Sequence, residues 1–293
     1  SDPDFLLLAI QRLTGTRDFD TGTAVLRLDA GEKCRILTPM VTQAQPVVSI
    51  RKPTTDFPKL SDFTDQNALS EGMAKFLRQS VRAGRSILVS SPDELSKTRF
   101  LNALGDQIPD NERIVCVEEF SQLRLDRETA ISLEASEDQE IDLSYLMKVA
   151  LDLVPNRILL DECRHREAYD WVTGAATSTQ GSMLTIRGTH TADALGRLEN
   201  LCLLEAGHLS PRGIREQIVS ALDIAVSLSQ KSSEGFRVHQ ITEIQGLDLD
   251  SFRLNDIFHY TPDGTFAPTG YVPLFYEDLE QAGWDLDFSI FGD

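Results

Sequence analysis

Short unbroken apolar runs recur along this 293-residue chain, separated by stretches whose apolar positions return every three or four residues. The runs at 86–90 (SILVS), 113–118 (RIVCVE), 157–162 (RILLDE) and 182–186 (SMLTI) are bounded by turn residues and read as strands buried on both faces. The stretches 69–83, 97–105, 141–152, 166–177, 191–204 and 210–223 carry helical spacing. Strands alternating with helices of this length predict βαβ units: an α/β fold, mainly a parallel sheet with flanking helices. After the last helix, strand-like runs follow at 224–229, 236–244 and 252–259.

The chain opens differently. A short helix is expected over 5–13, then strands at 23–28, 33–38 and 47–50 separated by turn residues. The segment Arg51-Lys52-Pro53-Thr54-Thr55-Asp56-Phe57-Pro58 carries two prolines and marks a linker. The expected organisation is a partial N-terminal α+β domain over 1–50, a linker over 51–66 and an α/β domain over 67–293. The first unit is too short for an independent core and reads as the tail of a domain cut upstream.

Charge narrows the function classes. Lys and Arg total 28 against 46 Asp and Glu, a net −18. That balance argues against a nucleic-acid binder working through counterion release. Residues 110–142 hold eleven acids against three arginines, and 271–293 hold six acids and no base. These read either as solvated surfaces or as faces for a basic partner protein. No run approaches ~18 apolar residues, so no membrane-spanning helix is expected. The apolar opening from Phe5 to Ile10 has no basic flank and does not read as a signal peptide. Cys34, Cys116, Cys163 and Cys202 lack metal-binding spacing and read as buried free thiols in a reducing compartment. The five histidines show no metal-binding spacing either.

Three features carry candidate chemistry. In parallel α/β proteins phosphate commonly binds where a strand turns into a helix over a loop reading G-x-x-x-x-G-K-[ST]. Here that place holds Ser91-Pro92-Asp93-Glu94-Leu95-Ser96-Lys97-Thr98: the frame and the Lys-Thr are present, both glycines are absent. Leu160-Asp161-Glu162 ends a strand, where a carboxylate either holds magnesium and orients water or serves as a helix N-terminal acid. Glu118-Glu119 ends another strand and reads either as a general base with its neighbour or as surface acids.

Taken in order, the residues resemble a known family. The segments that carry this are Arg82…Ser86-Ile87-Leu88-Val89-Ser90…Lys97-Thr98…Phe100-Leu101-Asn102-Ala103-Leu104…Glu118-Glu119, then Pro155-Asn156-Arg157-Ile158…Glu162…Arg164…Glu167-Ala168…Asp170. Gly181-Ser182…Thr185-Ile186…Ala194-Leu195…Arg197-Leu198-Glu199 and Ile214-Arg215-Glu216-Gln217-Ile218 continue it. They resemble the motor ATPases of type II and type IV secretion systems, most nearly the Tad (tight-adherence) pilus assembly branch of CpaF type. The resemblance implies a RecA-like P-loop NTPase fold from residue 67 onward.

It also exposes what is missing. Ser91 and Ser96 stand where the family's loop glycines belong, and a side chain at a left-handed position costs about 1–2 kcal/mol. Pro92 has no N–H to offer a phosphate, and Asp93 and Glu94 place negative charge where an anion would sit. Asp161 replaces the glycine of the family's Gly-Glu, Thr179 and Arg187 replace its two box histidines, and Ser132 and Ser136 replace arginines. The frame is kept while most nucleotide-touching residues are changed.

The resulting expectation is a catalytically inactive or severely impaired homologue with a structural or regulatory role in a Tad-type pilus or secretion machine. Glu118, Glu119, Glu162 and Arg164 would be vestiges of catalysis, and residues 91–98 a vestigial phosphate loop. No cofactor and no metal are expected. The expected partners are an intact secretion-ATPase paralogue or the inner-membrane platform protein, with no nucleic acid and no direct membrane insertion. The expected location is cytoplasmic, peripheral to the inner membrane through partners. Two alternatives remain open. One is a working pilus-assembly motor with an atypical loop, using ATP and magnesium with arginines supplied in trans. The other is a pocket converted to another, signalling, nucleotide.

Overall fold

The computed structural model describes Arg12 and residues 22–28, 31–52, 57–136, 140–231 and 235–292. Apart from Arg12, the helix expected over 5–13 lies outside the described residues.

The N-terminal unit is a three-stranded antiparallel sheet of β1 (Thr23–Arg27), β2 (Lys33–Leu37) and β3 (Val47–Arg51), with the single-turn α1 (Pro39–Thr42) between β2 and β3. Cys34 and Ile36, alternate residues of β2, are its fully buried apolar positions.

The rest is built on one nine-stranded sheet. Its strands are β4 (Ile87–Ser91), β5 (Ile114–Glu118), β6 (Ala130–Glu134), β7 (Arg157–Cys163), β8 (Met183–Arg187), β9 (Ile224–Gln230), β10 (Phe236–Asp248), β11 (Ser251–Tyr260) and β12 (Phe266–Pro268). The spatial order is β12-β11-β10-β9-β4-β8-β7-β5-β6. From β9 to β6 all pairings are parallel, whereas β9 through β12 pair antiparallel. This is the expected α/β fold, with an antiparallel extension added to a parallel sheet.

Residue alternation along the strands builds two cores. Ile87, Val89, Ile114, Cys116, Leu159, Ile224 and Val226 face one side. There they meet α2 (Leu60–Asp65), α3 (Glu71–Arg82), α4 (Glu94–Gly105) and α9 (Leu274–Gln281). Leu88, Val115, Val117, Ile158, Leu160, Leu184 and Ile186 face the other. They meet α5 (Leu143–Asp152), α6 (Glu167–Thr177), α7 (Thr191–Glu205) and α8 (Pro211–Ala221). A strand's side chains point alternately up and down, so a continuous apolar run is what two covered faces require.

Three expectations change. The linker over 51–66 shortens at both ends: Arg51 is the last residue of β3, and α2 sends Leu60 and Phe63 into the main core. The helix expected over 97–105 begins at Glu94, because Asp93 caps it. β6 was not anticipated, since its AISLE sequence is partly solvent-facing at a sheet edge and lacks a sustained apolar run. The acidic C-terminal segment is anchored by its aromatic residues. Tyr276 stacks on Phe76 at 5.8 Å, and Phe291 meets Tyr276 edge-on at 4.9 Å. All four cysteines are buried and free.

Candidate functional site

β4 ends at Ser91, and only Pro92 and Asp93 separate it from the first turn of α4. Asp93 is the N-cap. Its Oδ2 accepts the Ser96 N–H at 2.9 Å and also the Ser96 hydroxyl, while its own N–H donates to Ser91 Oγ at 3.1 Å. A helix N-terminus binds anions through its unpaired N–H groups and its dipole. Here the anion is supplied by the chain itself: the Asp93 carboxylate. Pro92 adds no donor. Glu94 turns away into ion pairs with Arg51 of β3 and with Arg164 Nη2, the latter at 3.1 Å. Leu95 is exposed.

Lys97 is the fourth residue of α4 and is buried to 1% exposure. Its Nζ sits 2.6 Å from Glu162 Oε2, an ion pair without hydrogen-bond alignment. Thr98 Oγ1 donates to Asp161 Oδ2 at 2.6 Å, and Thr185 Oγ1 donates to Asp161 Oδ1 at 2.8 Å. Both oxygens of Asp161 are therefore engaged. A bulge in the β7–β8 pairing brings Glu162 to Lys97. Glu162 takes φ +62°, and its N–H donates to Thr185 Oγ1 at 2.7 Å. A left-handed glutamate costs on the order of 1–3 kcal/mol and persists only where neighbours hold it. Lys97 and Thr185 are such neighbours.

Glu118 is fully buried, which corrects the surface-acid reading for that residue. Its Oε1 accepts the N–H groups of Gln122 and Leu123, each at 2.7 Å. Burial pushes its carboxyl up to about 7 against those two donors. Asp161, opposite Glu118 in the β5–β7 register, is pushed up to about 6 by burial, with Thr98 and Thr185 pulling the other way. Glu119 points outward to Arg164 Nη1 at 3.1 Å and Lys33 Nζ at 4.0 Å. Arg164 also reaches Glu162 Oε1 at 3.4 Å. Glu162 lies within β7 and not at a helix start, so the helix N-terminal alternative does not apply to it.

Residues 91–98, Glu118, Glu119, Asp161, Glu162 and Arg164 thus meet at the carboxyl ends of β4, β5 and β7, whereas Ser132 lies in β6, Arg187 ends β8, and Ser136 and Thr179 fall outside the three strands. Asp93, Lys97 and Thr98 each engage a polar group of this chain rather than an open cradle. Arg51 and Thr185 were missed. Arg51 falls in what read as a linker, and Thr185 sits in what read as a plain buried strand.

The description "Type II/IV secretion system protein" matches residues 25–245. PtlH, a type IV secretion system protein of Bordetella pertussis, is 34% identical over 170 residues, covering 55% of this chain and 50% of PtlH. The conjugal transfer protein TrbB of Rhizobium radiobacter is 28% identical over 215 residues, covering 72% of this chain and 64% of TrbB. The chain spans about half the length (50%) of the PtlH relatives it matches. The VirB11 ATPase of the Brucella suis type IV secretion system, solved with sulphate, superposes with a TM-score of 0.54 at 23% identity, covering 78% and 76% of the two chains. The pilus retraction motor PilT with bound ADP gives 0.60 at 15% identity, covering 97% and 76%. Both structural likenesses speak to the fold alone. With the family description matched from β1 through most of β10, the chain belongs to the type II/IV secretion system protein family.

Proposed function

We propose that this chain is a secretion-ATPase homologue that does not run an ATP cycle and serves as a structural or regulatory subunit of a secretion or pilus machine. The observation that carries the reading is the Asp93 carboxylate seated on the α4 N-terminus, where a phosphate would need those donors. The Lys97–Glu162 ion pair adds to it, because the lysine charge is already neutralised within the chain. ATP with magnesium does not fit these residues as they stand. A triphosphate would have to displace Asp93, separate Lys97 from Glu162 and free Thr98 from Asp161. The Asp93 charge opposes its approach, while Glu94 is already paired with Arg51 and Arg164. A Tad-type machine, with an intact paralogue or the inner-membrane platform protein as partner, is the specific setting we infer from the sequence resemblance. A cytoplasmic position at the membrane through that partner completes the proposal.

One observation favours a second reading. Lys97 pairs with Glu162 and Thr98 with Asp161, and Glu162 is held in a costly backbone conformation. In a working motor that arrangement would be a closed state which nucleotide opens, with arginines added in trans. Calorimetric titration of ATP and ADP, with and without magnesium, separates the two readings when run beside phosphate release. A ligand at 100 times its dissociation constant stabilises by about 2.7 kcal/mol, which a thermal shift also detects. The proposal expects no hydrolysis and no binding that depends on Lys97. Magnesium-dependent ATP binding that disappears in Lys97→Met, together with turnover, overturns it.

A further inference from the structure

A cavity of about 510 Å³ is lined by Pro92, the end of β8 and the first half of α7. It shares only Pro92 with the loop described above. Four of its lining residues are small: Pro92, Gly188, Ala192 and Gly196. Gly188 follows β8, and its N–H donates to Ser91 O at 3.2 Å. A side chain at Gly188 would meet the Ala194 Cβ at 3.0 Å, so the strand end lies tight against α7. The lining also includes Arg187 from the end of β8 and Arg197 from α7. Asp193, Gly196, Arg197 and Asn200 fall at helical spacing on one face of α7.

Both guanidiniums are exposed, and among the described residues neither has a carboxylate within ion-pair distance. That is unexpected in a chain with 46 acids and 28 bases. The one acid lining the cavity, Asp193, is turned to its own loop. It accepts the Thr189 N–H at 2.8 Å and the Thr189 hydroxyl at 3.1 Å. The Thr189 N–H, more than the nearby charges, holds the Asp193 carboxyl below its ordinary range, with His190 and Arg197 assisting. The cavity also lies at the N-terminus of α7, a 15-residue helix. Its dipole adds positive character beside the two arginines, while the Asp193 N–H is taken by His190 Nδ1 at 3.1 Å.

We propose that this cavity is a binding site for a phosphoryl group, held between Arg187 and Arg197 at the start of α7, independent of the loop that carries Lys97. Guanidinium groups grip phosphate oxygens bidentately, and a volume of about 510 Å³ leaves room for a group larger than water. The free anion and the phosphoryl end of a larger metabolite share this chemistry, and the test distinguishes them.

Isothermal titration of the full chain with inorganic phosphate, pyrophosphate, AMP and ATP, without magnesium, measures it. Wild-type protein is expected to bind pyrophosphate more tightly than phosphate, with affinity falling as salt rises. Arg187→Gln and Arg197→Gln are each expected to weaken binding by about tenfold or more. Lys97→Met is expected to leave it unchanged. Unaltered circular dichroism of the arginine variants confirms that they fold. Preference for AMP or ATP over pyrophosphate identifies a larger metabolite as the source, and equal or weaker binding identifies the free anion; both support the site. Absence of binding by wild-type protein, or binding unaffected by either arginine substitution, overturns it. Binding lost in Lys97→Met but kept in both arginine variants overturns this inference and the reading of the loop together. Loss in the arginine variants alone leaves the loop reading standing.

Discussion

Lys97→Met tests whether the lysine at the start of α4 is a structural partner of Glu162 or a reserve for phosphate. Lys97 is 1% exposed and the Glu162 side chain 8%, with 2.6 Å between the charges. Removing one member of a buried pair leaves the other charge uncompensated and typically costs about 3–5 kcal/mol. Arg164 Nε stays 3.4 Å from the other Glu162 oxygen and is itself 35% exposed, so part of the compensation survives. We therefore expect a loss of about 3 kcal/mol, the low end of that range. For a domain of this size that is roughly a 5–10 °C fall in the unfolding midpoint. Glu162→Gln strands the lysine in turn. The double variant should recover much of the loss, with a coupling energy of about 2 kcal/mol. Urea unfolding followed by circular dichroism and by the fluorescence of Trp171 and Trp284 measures all four corners of the cycle. The reasoning fails if both single variants cost less than about 0.5 kcal/mol, or if their effects simply add. Lys97 would then be a loosely held cation available to a ligand.

Gly181→Ala should cost on the order of 3 kcal/mol or more by thermal unfolding. Gly181 has φ +76°, and a Cβ there would lie 1.5 Å from Arg157 Nη1 and 2.9 Å from the Gly84 backbone. A wild-type melting temperature in that variant would contradict the geometry. Burial pushes the Glu118 carboxyl up to about 7 from its ordinary 4.5, so its neutral form favours folding: that stability is present below pH 4.5 and is lost as pH rises through 7. Glu118→Gln should remove about 3 kcal/mol of this pH dependence between those limits, and an unchanged stability–pH curve in the variant refutes the assignment. Asp93→Ala deletes the α4 cap and should destabilise by about 1 kcal/mol, read from the urea midpoint. If Asp93→Ala instead stabilises the protein, the carboxylate is not serving as the helix anion.

The order of the strands and helices between residues 69 and 259, β6 apart, was readable along the chain because local chemistry sets it, whereas α1, α2, β12 and α9 were not read. The unbroken runs at 86–90, 113–118, 157–162 and 182–186 exist because both faces of those strands are covered, and each became a parallel strand. The missing glycines between Ser91 and Thr98 were equally plain, since a glycine is a backbone property that one residue reveals. What replaces the glycine loop was not. That Asp93 caps α4, so that the helix starts three residues early, depends on the competition between a two-residue turn and a longer loop. The Lys97–Glu162 pair joins residues 65 positions apart through a bulge and a positive φ, which only the β7–β8 register creates. Glu118 and Glu119 are adjacent in sequence, yet one is buried with a raised pKa and the other faces Arg164, because successive residues at the end of a strand point to opposite sides. Arg187 and Arg197 were visible as a substitution and a shared family position. That they flank one cavity follows only from the close packing of the end of β8 against α7. Composition and periodicity act through neighbours in the chain; charge pairing and burial act through neighbours in space, and those the fold alone supplies.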